Sequence, residues 1–148
     1  MAAVIANAVD ELLMNAMFDA PVDDLGKPLY SNTARSSVFK LEGKGAVELH
    51  VGFDGDHLGI TAVDFYGSLD KTKLLSHISK NYTQQEYKVK SNVAGAGIGL
   101  STVFRSGGSF FFVSESRVRT EVTVIFRRAD SYREFRDQFR FISTQFYF

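Results

Sequence analysis

The chain has no cysteine, no tryptophan, only two prolines in 148 residues, and no net charge, with 17 Lys and Arg set against 17 Asp and Glu. The missing cysteines exclude disulfides, thiolate nucleophiles and zinc–thiolate centres together. The charge balance excludes a global field that would recruit nucleic acid or an anionic membrane surface, so any phosphate recognition must be local. No run approaches the roughly 18 apolar residues of a membrane span. The opening stretch MAAVIANAVDELLMNAMF lacks the basic n-region of an export signal and is interrupted by Asn7, Asp10, Glu11 and Asn15. A cytoplasmic location is the expectation. His50, His57 and His77 lie in separate segments without helical ligand spacing, so a metal centre built from them is not expected.

What is present is apolar residue in quantity, 45% of the chain with 14 phenylalanines, enough for one substantial core. Residues 1–148 therefore read as a single domain, with 129–148 as an aromatic-rich C-terminal extension. Val4, Ile5, Ala8, Val9, Leu12, Leu13 and Met17 recur at the spacing of an amphipathic helix that Pro21 ends. The segment from Pro21 to Arg35, holding both prolines and Gly26, reads as a loop. Three strand-like runs follow, SVFKLEG near Ser37, AVELHVGF from Ala46 and LGITAVDF from Leu58, the last two joined by Asp54, Gly55 and Asp56 as a hairpin.

Lys71 to Asn81 carries Leu74, Leu75 and Ile78 on one helical face. A polar linker, YTQQEYKVKSNV, leads into the glycine run GAGIGL, and the residues from Leu100 to Phe104 read as a helix. SFFFVSES and TEVTVIFRR form a second predicted hairpin with its turn near Arg117. The tail SYREFRDQFRFISTQFYF reads as an aromatic helix and strand covering a sheet edge, with a dimerisation or partner surface as the other reading. The fold class implied is α+β, a two-layer α/β sandwich of one mixed, mostly antiparallel sheet covered by helices.

Three places carry chemistry. Gly95, Gly97 and Gly99 alternate ahead of Leu100, which lets backbone N–H groups approach phosphate oxygens at a helix N-terminus. Mobility or tight packing explains such a turn equally well. It is neither a Walker loop nor a dinucleotide fingerprint, because no Gly-Lys-Ser/Thr follows and the glycine spacing differs. Glu11 and Asn15, four residues apart, share a helix face where a carboxylate and an amide oxygen can flank a divalent cation; a solvated helix face is the bland alternative. Asp64 ends a buried-looking strand just before Gly67, where a carboxylate can accept from an exocyclic amine or simply cap the strand.

In their order, DELLMNA, VDFYGS, GAGIGLS and RTEVTVIF resemble the four ATP-site boxes of the GHKL superfamily of histidine kinase-like ATPases, over about Val4 to Arg128. The nearest look is to small bacterial histidine-kinase-like and anti-sigma serine kinase-like domains. The resemblance implies a Bergerat-type sandwich that binds ATP and Mg. It implies Asn15 as the magnesium ligand, Glu11 as the general base of a relative that transfers phosphate, Asp64 as the adenine-reading carboxylate and Thr120 as its support beside a bound water. Gly67 falls in the first glycine box. Gly95, Gly97, Gly99 and Leu100 fall in the box that holds the phosphates, with Tyr82 to Val93 as the ATP lid.

The partners implied are ATP and a signalling protein, a response regulator or an anti-sigma-type target, with a homodimer as a further expectation. One departure bears on this. Where the box reads Asp-x-Gly-x-Gly, this chain has Asp64, Phe65, Tyr66, Gly67, Ser68, so one glycine stands, displaced by one place. Tyr66 can stack on a base or fill part of its pocket. A degenerate interaction domain that keeps the fold without turnover is the alternative function.

Overall fold

The computed structural model describes residues 2–30, 32–34, 36–37, 40, 42–83, 107–131, 133–134 and 144–148. The first apolar stripe forms helix α1, Ala2–Met14, which buries Ala8 and Leu12. α-Helical geometry stops earlier than the stripe suggests, because Asn15–Asp19 is a π-helical turn closed by an i+5 bond from Ala20 N–H to the Asn15 carbonyl, 2.9 Å. The wider turn still buries Ala16 and Phe18. Pro21, without an N–H and fully buried, ends it as expected.

The loop after Pro21 is tied by its own groups. Asp23 Oδ1 accepts from Leu25 N–H at 2.9 Å and from Lys27 N–H at 2.8 Å, an Asx turn that Gly26 completes with φ +79°. The strand predicted near Ser37 does not form at Ser37, Lys40 or Glu42, and a short 3₁₀ turn follows at Gly43–Gly45. The remainder of that run lies outside the described residues.

The hairpin signals are borne out. β1, Glu48–Phe53, pairs antiparallel with β2, His57–Asp64, across a tight turn in which Asp54 Oδ1 accepts from Asp56 N–H at 2.8 Å and His57 N–H at 2.6 Å. β3, Ser109–Glu115, pairs antiparallel with β4, Arg119–Arg127, around the predicted turn at Arg117, where φ is +63°. Between the hairpins, α2 spans Lys71–Thr83, its first turn capped by Asp70, whose Oδ1 accepts from Lys73 N–H at 2.9 Å.

The tail's strand is β5, Thr144–Tyr147, and it covers a sheet edge, parallel to β3. The sheet is mixed and five-stranded, in the order β1-β2-β4-β3-β5. With the helices it makes an α+β architecture.

Strand alternation decides which face is apolar. Ile60 and Ala62 of β2, Val124 and Phe126 of β4, and Phe110 and Phe112 of β3 join Ala8, Leu12, Ala16, Leu74 and Ile78 in one buried cluster. Phe112 is stacked between Phe110 and Phe146, with ring centroids 6.1 Å and 5.4 Å away, which fastens β5 to the core. Each such phenylalanine contributes about 1.5–3 kcal/mol by leaving water. On the opposite face, Thr61 and Thr123 join hydroxyls across β2 and β4 at 2.7 Å. Among the described residues, no helix is long and apolar enough to cross a membrane.

Candidate functional site

β2 is buried along its second half, so its last residue, Asp64, carries a carboxyl group into the core at 6% exposure. The chain turns at once. Asp64 Oδ1 accepts from Tyr66 N–H at 2.9 Å and from Gly67 N–H at 3.3 Å. Among the described residues Oδ2 has no hydrogen bond. Burial pushes the carboxyl pKa above the ordinary aspartate value, and the two N–H donors oppose that shift only in part.

Thr120 is the register partner of Asp64 across the β2–β4 ladder. It is 3% exposed, and its Oγ1 is fully buried without a hydrogen-bond partner among the described residues. The hydroxyl lies near enough to the carboxyl to lower its pKa slightly, yet does not reach hydrogen-bonding geometry with it. A buried polar atom without a partner costs about 1–3 kcal/mol, and its persistence calls for a reason. One edge of this site thus offers an open carboxylate oxygen and the other an unused hydroxyl. Together they can receive a planar group bearing an N–H donor and an acceptor, or a water that bridges to one.

Gly67 is held where it is by the neighbouring hairpin. Its φ is +57°, and a Cβ there would come within 2.7 Å of both Arg117 N and Val118 N. Arg117 N–H donates to the Gly67 carbonyl at 3.1 Å. The glycine therefore seats the Asp64 loop on the β3–β4 turn. Ser68 ties the loop to the first helical segment through a 2.7 Å bond from its hydroxyl to the Ala20 carbonyl.

That bond links the Asp64 loop to the residue that closes the π-turn of Asn15. Both α1, which carries Glu11, and the π-turn pack against β2. A π-turn is itself a feature often found where a helix serves a site. Glu11 and Asn15 are both half-buried.

Lys44 was not anticipated from the sequence, where only its place between Gly43 and Gly45 marks it. Its Nζ lies 5.3 Å from the centre of the Tyr66 ring, a cation on an aromatic face. Partial burial, aided by nearby Tyr30 and Asp64, raises the Tyr66 pKa. Gly95, Gly97, Gly99 and Leu100 lie outside the described residues, as does most of the predicted lid. Among the described residues, no group of three His, Asp or Glu side chains is placed to hold a metal ion. The chain matches no protein-family model and no curated protein sequence.

Proposed function

We propose that this chain is an ATP- and magnesium-binding signalling module of the histidine kinase-like ATPase type, with a Bergerat-type fold. The observation that carries the reading is the Asp64–Thr120 pair, a buried carboxylate with one open oxygen beside a buried hydroxyl, neither atom having a partner among the described residues. Adenine presents a donor and an acceptor side by side, and this donor set fits it. Asp64 takes the exocyclic amine, and Thr120 holds a ring nitrogen directly or through a water.

Asn15 supplies an amide oxygen to magnesium, a cation that keeps much of its coordination from phosphates and water and needs few protein ligands. Gly95, Gly97, Gly99 and Leu100 offer main-chain N–H groups to the phosphates. When bound, the nucleotide supplies a transferable phosphoryl group and the metal neutralises its charge. Glu11, one turn before Asn15, orients the hydroxyl or imidazole of a partner protein and accepts its proton.

A second reading draws on Tyr66, which occupies the box position next to Gly67 and carries Lys44 on its ring. If these side chains keep the pocket closed, the chain is an interaction domain that retains the architecture without turnover. Glu11→Ala separates the two, since it abolishes phosphotransfer by a kinase and leaves partner binding by an interaction domain intact.

The decisive experiment is calorimetric titration with ATP and magnesium, run beside Asp64→Asn. Saturable heat in the wild type that the variant loses supports the nucleotide site. A folded protein that takes up no nucleotide to millimolar concentration sinks it.

A further inference from the structure

The core face of the sheet does not stop where the helices stop. In the β1–β2 register Leu49 faces Ala62, Val51 faces Ile60 and Phe53 faces Leu58, so the three β1 residues continue the face on which the core is built. They remain in water at 42%, 63% and 66% exposure. β1 is also a terminal strand of the sheet.

The main chain points the same way. Asp54 N–H donates to the His57 carbonyl, and Arg128 N–H donates to the Asp56 carbonyl, which sets the phase of both ladders. Glu48, His50 and Gly52 therefore turn their N–H and C=O groups toward β2, while Leu49, Val51 and Phe53 turn theirs outward. These outward groups have no hydrogen-bond partner among the described residues.

Proteins blunt such edges with lysine, proline, bulges or short strands. β1 has no lysine or proline, and its register runs without a bulge over all six residues. The other terminal strand, β5, is the protected kind, only four residues long.

We infer that β1 is a dimerisation strand whose partner is β1 of a second copy of this chain. An exposed ladder of this type exchanges its water for a continuous row of main-chain bonds when another extended strand pairs with it, and Leu49, Val51 and Phe53 are evenly spaced about Val51. A two-fold axis normal to the sheet at Val51 sets Val51 against its own copy and Leu49 against Phe53 of the second copy. All are hydrogen-bonded positions, giving about six main-chain bonds. The axis also keeps both core faces on one side, so the two apolar stripes meet and shield each other. A parallel pairing would place one apolar face beside the other copy's Glu48 and His50. The interface is small, under about 1,200 Å², so the dimer is reversible and depends on concentration. The inference is independent of the nucleotide reading.

The test uses the full chain, whose lack of cysteine makes a single introduced thiol unambiguous. Sedimentation of the wild type should show a reversible monomer–dimer equilibrium. Val51→Glu, which sets two like charges on the axis, should weaken it by roughly 100-fold or more. Val51→Cys, a change of similar volume, should cross-link to a covalent dimer with a short bismaleimide, and Cys replacing the exposed Leu25 should not. A folded wild type that stays monomeric at high concentration overturns the inference, whether β1 then serves a foreign strand or none. So does a dimer that persists in Val51→Glu with Val51→Cys inert. A Val51→Cys thiol shielded from reagent in the monomer shows that another segment of the same chain covers the strand, and overturns it too.

Discussion

Asp64 and Thr120 face each other across the β2–β4 ladder, both buried, and neither satisfies the other: the carboxyl is held by two backbone N–H groups while the hydroxyl is held by nothing among the described residues. A buried hydroxyl without a partner among the described residues is expected to cost about 1–3 kcal/mol of stability. Sites that keep such groups at the expense of stability are where function is most often found.

The first prediction concerns pH. The folded-state pKa of Asp64 is raised above its ordinary 3.8 by burial. Its effect on stability is therefore most favourable below that ordinary value and is lost as pH rises through the raised folded value. Asp64→Asn removes the buried charge and keeps an oxygen for the Tyr66 and Gly67 donors, so at neutral pH the variant should unfold at a higher temperature than the wild type. The difference should shrink on acidification toward the carboxyl range. Thermal melts of both proteins across that range check it; a wild type more stable than the variant at neutral pH contradicts the burial argument.

Thr120→Val removes a hydroxyl that has no partner among the described residues and fills the same volume. Stability should be unchanged or higher by about 1–2 kcal/mol, read from urea midpoints. Affinity for ATP should fall by about tenfold if the hydroxyl serves the base. A loss of stability would show that Thr120 already has a partner.

Gly67→Ala should destabilise the chain by at least about 2 kcal/mol, because the residue has φ +57° and an added Cβ overlaps the Glu115–Val118 turn. The damage should extend to the β3–β4 hairpin, seen as faster amide exchange at Arg117, whose N–H loses its acceptor geometry. Equal stability would mean that the turn moves away freely.

Phe112→Ala should cost about 3–5 kcal/mol, since it removes a 1%-exposed side chain stacked between two others. Phe146→Ala, at the edge, should cost less and release β5 selectively, measured as loss of amide protection over Thr144–Tyr147 with β2 and β4 still protected.

Much of the scaffold was readable in the sequence, for local reasons. The apolar stripe on α1, the Asp54–Asp56 turn and the alternation of SFFFVSES and TEVTVIFRR each express a period or a turn chemistry that neighbouring residues set among themselves. Asp64 was recognisable as a strand-ending carboxylate, and Pro21 as a helix stop. The run near Ser37 forms no strand at Ser37, Lys40 or Glu42, because a strand-like composition does not by itself bring a segment into a sheet, and the remainder of that run lies outside the described residues. The π-turn at Asn15 was equally invisible, since the same apolar spacing fits either helix until Phe18 finds its place in the interior.

By itself, then, the sequence determined the local elements and the order of the candidate residues, because helix period, turn chemistry and strand alternation act over a few positions. Only the tertiary structure decided that Thr120 lies opposite Asp64, 56 positions away along the chain, that Lys44 rests on Tyr66, and that β1 carries the core's apolar face to an open edge. These depend on which strands become neighbours and in what register. That choice is made by burial of the whole apolar face at once, which no short window of residues expresses.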